Sequence, residues 1–213
     1  MEPVLCLITN RLTWSDQWRE RLVGQAAAAA QAGIQFIQVR EPDLDGGALR
    51  ELVVACVEAA RGTRTRVIVN DRLDVALAAG AHGAHLRGDS IPASRARTLC
   101  PRPFLIGRSI HAVEEAQDAD AAALDYLIFG TVFATASKPG RAPAGLVELA
   151  AAVAATVLPV LAVGGVTVER MADVMRTGAA GAAAIAPFTA DPAGAVRHLV
   201  AATKAIDTPS ERP

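Results

Sequence analysis

Three side chains capable of chemistry follow one another closely near the middle of the chain. Arg108, Ser109 and His111 supply a guanidinium, a hydroxyl and an imidazole directly after the apolar run 104–106. An apolar run bounded by prolines is typical of a buried strand, and the residues from 112 onward favour a helix. Because imidazole exchanges protons near neutral pH without help, we predict that His111 acts as a general acid and base at a strand end.

The rest of the chain repeats an apolar strand followed by a helix, at a step of about 25 residues. The predicted strands are 4–9, 34–40, 66–70, 83–86, 104–106, 124–130, 159–165 and 181–186. Continuous apolar runs are typical of strands that are covered on both faces. We therefore predict an α/β protein, a single-domain (β/α)8 TIM barrel over residues 1–207, with 208–213 as a frayed tail. A doubly wound open sheet is the alternative, but the first strand-helix turn carries no GxGxxG signature.

Polar side chains cluster where the predicted strands end, and in a barrel these ends converge on one rim. The residues brought there are Gln38, Arg40, Asn70, Asp71, His85, Arg108, Ser109, His111, Thr135, Ser137 and Lys138. Each has a plainer explanation taken singly. Arg40 and Glu41 would suit a rim salt bridge, Asn70 and Asp71 would suit helix caps, and His85 would suit a structural role. Their joint occurrence favours a binding site.

A glycine pair follows the seventh predicted strand. Gly164 and Gly165 would let backbone N–H groups approach an anion closely. With Ala186 and Pro187 after the eighth strand, this turn matches the usual phosphate-binding position of barrels. A simple strand-to-helix turn is the alternative.

Composition excludes several classes of protein. The chain has 213 residues, of which 52% are hydrophobic and 20% are charged, so it is too apolar for disorder. A net charge of -1 and a pI near 6.4 give no electrostatic case for binding nucleic acid or an anionic membrane. No apolar run reaches the roughly 20 residues of a membrane helix, and residues 1–4 lack signal-peptide features. Cys6, Cys56 and Cys100 have no zinc-site spacing, so we expect a reduced, cytoplasmic protein.

Five segments together resemble the thiamine phosphate synthase/TenI superfamily, and the resemblance runs from the first strand to the eighth. They are Gln38-Val39-Arg40-Glu41, Asn70-Asp71-Arg72, Gly83–Leu86, Asp125–Phe133 and Ala162–Val166. The resemblance implies a (β/α)8 barrel and thiazole phosphate chemistry in thiamine biosynthesis.

One branch of this superfamily, thiamine phosphate synthase, joins hydroxymethylpyrimidine diphosphate to thiazole phosphate and needs Mg²⁺ on the departing diphosphate. The chain departs from that branch at several positions. Pro42 stands where the family has Lys, Ser90 where it has a metal-binding Asp, and Ala186 where it usually has Ser. Arg108 also intrudes between Gly107 and Ser109. A diphosphate leaving group needs a cation clamp, and the first two changes weaken it.

The other branch contains TenI-type thiazole tautomerases, whose Gly-Arg-Ser-Val-His segment is similar to residues 107–111. This similarity favours a tautomerase that aromatises a carboxythiazole phosphate, with the His as acid and base and with no metal or cofactor. The intact Asn70-Asp71 pair, which TenI-type proteins often lack, argues against that choice. The expected substrate-binding residues are Gln38, Arg40, Asn70, Asp71, Arg108, Ser109 and Lys138, and the expected phosphate-binding residues are Gly164, Gly165, Ala186 and Pro187.

Two other hypotheses stay open. One is a thiamine phosphate synthase with an altered Mg²⁺ clamp, and the other is a non-catalytic regulatory protein that binds thiazole phosphate or thiamine phosphate. The expected partner is a small-molecule thiazole phosphate, without nucleic acid or membrane, and a homo-oligomer is compatible with the sequence.

Overall fold

A computed structural model describes residues 2–135, 140 and 142–204. Within them, parallel strands pair in sequence order and close into a barrel, with a helix after each strand. The strands are β1 Val4–Ile8, β2 Phe36–Val39, β3 Arg66–Asn70, β4 Gly83–Leu86, β5 Leu105–Ile110, β6 Tyr126–Gly130, β7 Val160–Val163 and β8 Gly181–Ala184. The predicted (β/α)8 barrel in a single domain is confirmed, and the open-sheet alternative is excluded.

The helices form the outer layer, and two short 3₁₀ turns lie at the rim. They are α1 Trp18–Gln31, α2 Gly46–Ala59, α3 Leu73–Ala78, α4 Ala93–Leu99, α5 Val113–Gln117, α6 Gly145–Ala154, α7 Val168–Arg176 and α8 Pro192–Lys204, with 3₁₀ turns at Arg11–Thr13 and Ala186–Phe188. Asp45 caps α2 by accepting a hydrogen bond from the Ala48 N–H at 2.9 Å. None of the described helices is both long and apolar enough to span a bilayer.

Strand alternation gives the barrel two distinct cores. Inside the barrel, a small apolar cluster fills the lower layer and includes Cys6, Tyr126 and Leu161. Outside it, residues such as Leu7 and Leu127 pack against the helices in a much larger cluster. The inner cluster fills the lower part of the barrel interior, and we expect a ligand to bind at the opposite rim, where the strands end.

The inner layer above this cluster is polar. Gln38 lies beside Ile8 of the inner cluster, Asn70 lies opposite His85, and Ser109 lies opposite Ile128. Neighbours in register point to the same face of a sheet, so these polar side chains share the interior of the barrel mouth. The predicted convergence of strand ends therefore brings them together.

The fifth strand is longer than the sequence predicts. Apolar residues end at 106, but β5 continues through Gly107 to Ile110. A Cβ at Gly107 would lie 2.2 Å from Tyr126 Cζ, so this glycine makes room for the tyrosine ring and does not break the strand. Because alternate residues of a strand face opposite sides, Ser109 points into the barrel and Arg108 points out toward the helices.

Candidate functional site

His85 occupies the centre of the polar layer. Its Nδ1 lies 3.3 Å from the Tyr126 hydroxyl and its Nε2 lies 2.9 Å from Ser109 Oγ. Complete burial lowers the pKa of this imidazole to about 3. His85 is therefore neutral at ordinary pH, and it fixes the orientation of the Ser109 hydroxyl.

Gln38 presents an unused donor to the mouth. The residue is 2% exposed, and its Nε2 is buried without a hydrogen-bond partner among the described residues. A buried amide donor without a partner costs free energy, which a bound ligand would recover. Arg40, two residues further on, is exposed at the rim, and its backbone N–H donates to Thr9 Oγ1 at 3.0 Å.

Glu41 joins the ends of the first two strands. Its carboxylate accepts hydrogen bonds from the Thr9 hydroxyl and from the Arg11 N–H. The residue is 3% exposed, and burial raises the pKa of its carboxyl group despite these hydrogen bonds. Glu41 therefore fixes the backbone next to Arg40. The sequence allows an exposed ion pair between these two residues, whereas Glu41 is buried and hydrogen bonds to Thr9 and Arg11.

An acidic edge lies between the ends of β3 and β4. Asp71 has a left-handed backbone (φ 63°), and its carboxylate accepts a hydrogen bond from the Ser90 hydroxyl. Arg87 contacts Asp71 at 3.6 Å and Asp89 at 2.7 Å. Asn70, Asp71, Arg87 and Pro42 line one cavity of about 120 Å³. The clamp position at Pro42 thus faces the same space as Asp71, to which Ser90 is hydrogen bonded.

The donors at this edge suit an ion that arrives with its substrate. Within the described part of the chain, no group of three or more His, Cys, Asp or Glu side chains is placed to hold a metal by itself. Mg²⁺ is usually bound by one or two carboxylates together with substrate phosphates. Asp71 and Asp89, together with the Ser90 hydroxyl that hydrogen bonds to Asp71, fit that second arrangement.

The glycine pair lines a larger cavity of about 410 Å³ on the opposite side of the mouth. Gly164, Gly165, Ala186 and Pro187 all border it, as the sequence predicts for a phosphate site. Gly164 and Gly165 have φ of 96° and 62°, which L side chains rarely adopt. Their role as phosphate ligands remains a prediction.

Other residues of this cavity escaped sequence reasoning. Asn10, Thr13 and Thr189 add polar groups to its wall. Asn10 comes directly after the predicted strand 4–9, so its position at the rim could have been predicted from the sequence. Thr13 and Thr189 lie in or beside 3₁₀ turns, and no pattern of the sequence marks these turns.

Arg170 on α7 holds the glycine turn from behind. Its Nη1 donates to the Gly165 carbonyl at 2.7 Å, and its guanidinium lies 4.7 Å from the centre of the Phe133 ring. The Phe133 N–H in turn donates to the Gly164 carbonyl at 3.0 Å. The segment after β6 is thereby fastened to the turn after β7.

His111 lies at the rim, as predicted. Its Nδ1 hydrogen bonds to the Gly130 carbonyl, and its backbone N–H donates to the Glu115 carboxylate at 2.8 Å. Gly130 pairs with Val163, which immediately precedes the glycine pair. The imidazole is therefore one strand away from the larger cavity, and its chemical role stays a prediction.

Arg108 differs from its expected position. Its Nη2 donates to the Gly88 carbonyl at 3.0 Å, and its side chain borders an outer cleft of about 450 Å³ beside Ala119 and Leu124. The physical reason is the extension of β5, which turns Arg108 to the helix side. The structure therefore does not bring Arg108 to the polar interior of the mouth. Ser137, Lys138 and the predicted tail 208–213 lie outside the described residues.

The fold and this rim define a (β/α)8 barrel with cavities at the carboxyl ends of its strands. A sequence profile for the family described as thiamine monophosphate synthase matches residues 5–188. The chain belongs to this family, and it is accordingly an enzyme of thiamine biosynthesis.

Named relatives cover most of the chain. The thiamine-phosphate synthase of Methanoculleus marisnigri is 41% identical over 84% of this chain and 88% of its own length. The enzyme of the same name from Anaeromyxobacter dehalogenans is 42% identical over 86% of this chain and 83% of its own length. The solved thiamine phosphate pyrophosphorylase of Pyrococcus furiosus is 29% identical, with a TM-score of 0.82 and coverage of 96% of both chains.

These relatives overturn the preference for a TenI-type tautomerase, which was wrong. That preference depended on the Gly107-Arg108-Ser109 segment and on the changes at Pro42 and Ser90. The structure supplies the physical reason for part of the error, because Arg108 lies outside the barrel and does not alter the mouth. The intact pair Asn70-Asp71 was the better guide.

Proposed function

We propose that the protein is a thiamine-phosphate synthase that joins hydroxymethylpyrimidine diphosphate to thiazole phosphate and releases pyrophosphate. The observation that carries this proposal is the pairing of two cavities on one barrel mouth. One has backbone amides at Gly164 and Gly165, and the other has the Asp71 and Arg87 side chains. A reaction between two phosphorylated substrates needs two such places, whereas rearrangement of one substrate needs only one.

The thiazole phosphate would bind at the larger cavity. Backbone N–H groups of the glycine turn can approach an anion without a side chain in the way, and Arg170 lies behind that turn with a fixed positive charge. His111 would border the thiazole from the side of β5. Lys138, which the sequence predicts as a further ligand, would add positive charge from the segment after β6.

The pyrimidine diphosphate would bind across the mouth. Its ring would receive the Gln38 amide donor and the Ser109 hydroxyl, and its diphosphate would extend toward Arg40 and Asn70. As the bond from the pyrimidine methylene to the diphosphate breaks, the bond to the thiazole nitrogen forms, and the extra negative charge that the departing diphosphate gains must be offset. The residues that would hold Mg²⁺ are Asp71 and Asp89. Mg²⁺, when bound, would stabilise the charge on the leaving diphosphate.

The proposal is tested by incubating the protein with both substrates and Mg²⁺, and by measuring thiamine phosphate and pyrophosphate separately. We expect the two products in equal amounts, and no thiamine phosphate when either substrate or Mg²⁺ is left out. Absence of thiamine phosphate from a folded protein that binds both substrates would contradict the proposal.

A further inference from the structure

The small cavity at the acidic edge lacks a lysine on one wall and has an arginine on another. Pro42 stands on one wall, where the family resemblance places Lys, and Arg87 stands on the same cavity from the β4 side. Asn70 and Asp71 lie between them on the lining. The positive charge at this cavity therefore comes from the end of β4, whereas the resemblance places it after β2.

The segment that carries Arg87 is fixed in place by several hydrogen bonds. The Arg87 N–H donates to Ser90 Oγ at 2.7 Å, and the Ser90 hydroxyl donates to the Asp71 carboxylate. From the outside, Arg108 donates to the Gly88 carbonyl at 3.0 Å. The loop is thus tied both to the rim and to β5, so the Arg87 backbone has a defined position beside Asp71.

The guanidinium of Arg87 is placed to meet a ligand. It bridges Asp89 at 2.7 Å and Asp71 at 3.6 Å, and its side chain is 53% exposed toward solvent. These carboxylates alone would repel a diphosphate, and one guanidinium between them offsets part of that charge. A planar guanidinium also matches phosphate oxygens with two parallel hydrogen bonds, which an ammonium group cannot do.

We propose that Arg87 binds the diphosphate of the pyrimidine substrate and takes over the part that a Lys at position 42 would play. This inference rests on the proposed function, but it concerns binding of an anion and is testable without turnover. Arg87 is a substrate-binding residue in this account, and Ser90 and Arg108 position the loop that carries it.

The test is calorimetric titration of pyrophosphate, in the presence of Mg²⁺, into the wild type, Arg87→Met and Arg61→Met. Arg61 is a matched control because it is an exposed arginine paired with Glu58, beyond the end of α2 and away from the rim. Loss of a charge-assisted contact should weaken binding about tenfold or more in Arg87→Met, with no change in Arg61→Met. Unfolding midpoints of the variants should agree with the wild type, because exposed ion pairs contribute little to stability. A dissociation constant for Arg87→Met within twofold of the wild type would overturn the proposal.

A rescue variant sharpens the test. Adding Pro42→Lys to Arg87→Met should restore much of the pyrophosphate affinity, since both side chains border the same cavity. Failure to restore any affinity would overturn the claim that the two positions serve one anion.

In the synthase assay, Arg87→Met should raise KM for the pyrimidine diphosphate more than KM for thiazole phosphate. If the wild type binds pyrophosphate through Arg87 but forms no thiamine phosphate, the proposed function fails and the assignment of Arg87 stands.

Discussion

Burial decides what each histidine of the barrel mouth can do. His85 is enclosed by Tyr126 and Ser109, and burial lowers its pKa to about 3. An imidazole in this state does not take up a proton at neutral pH, so its contribution is to orient the Ser109 hydroxyl. His111 has an exposed position at the rim, where its Nδ1 hydrogen bonds to the Gly130 carbonyl.

The lowered pKa of His85 predicts how stability depends on pH. As pH falls from the ordinary value of 6.5 toward about 3, the unfolded chain binds a proton at this imidazole and the folded chain does not. Stability from neutral His85 is therefore complete above pH 6.5 and is lost as pH falls below it. We expect the difference in free energy of unfolding between wild type and His85→Gln to shrink by about 2 kcal/mol between about pH 7.5 and about pH 5.

Urea unfolding of the two proteins at both pH values measures this effect. His82, whose pKa is also lowered by burial, is present in both proteins and cancels in the difference. A difference that stays constant across this range would mean that His85 is not held neutral by the fold.

Ser90 offers a direct test of the acidic edge. Its hydroxyl already contacts Asp71, so Ser90→Asp would place a second carboxylate beside the first. We expect Mg²⁺ affinity in the presence of pyrophosphate to rise about tenfold, because Mg²⁺ prefers carboxylate oxygens to a hydroxyl. Ser94→Asp is the control, since Ser94 borders the outer cleft and adds the same charge elsewhere. Equal changes in both variants, measured by calorimetry, would locate Mg²⁺ away from Asp71.

At the scale of elements, the turn after β7 is tightly constrained. A Cβ at Gly165 would lie 2.5 Å from the Ala134 carbonyl oxygen, and the backbone there has φ of 62°. We expect Gly165→Ala to displace the turn and to weaken binding of inorganic phosphate at least about tenfold, because the amides would lose their alignment.

Gly80→Ala is the matched control for this change. Gly80 has a similar φ of 67°, but a Cβ there would meet no atom within 4 Å. Both variants should lose about 1 kcal/mol or more of stability through backbone strain, and only Gly165→Ala should lose phosphate affinity. Unchanged phosphate binding in Gly165→Ala, followed by calorimetry, would place the phosphate elsewhere on the barrel.

The elements also show where sequence reasoning reaches its limit. The positions of the strands follow from apolar runs, and Gly164-Gly165 is found because it lies after the seventh strand. The end of β5 was misplaced because Gly107 resembles a strand breaker, and its real function is to accommodate Tyr126 from the next strand. That contact joins residues on two strands and leaves no local pattern. The contact between Arg170 and Phe133 also leaves no local pattern, because Phe133 lies a whole strand-helix unit earlier in the chain.

At the scale of the whole molecule, the barrel converts distant segments into two neighbouring cavities. The pair Asn70-Asp71 and the loop with Arg87 come from β3 and β4, and the glycine turn comes from β7. The sequence predicts the barrel and most of its rim, because strand ends must converge once the sheet closes. It does not predict that Arg87 faces the cavity beside Pro42, because that arrangement depends on how one loop folds against Asp71.

The most direct test of the account is the initial rate of thiamine phosphate formation as Mg²⁺ is varied, for wild type and Asp71→Asn. We predict a wild-type rate that requires Mg²⁺ and both substrates, and a rate at least about 100-fold lower for Asp71→Asn, because removing a group that stabilises a departing anion costs this much in other enzymes. Inorganic phosphate should bind equally to both proteins, since the glycine turn is separate from Asp71. Asp71→Asn with wild-type activity, or a wild type that forms no thiamine phosphate at any Mg²⁺ concentration while binding both substrates, would contradict the account.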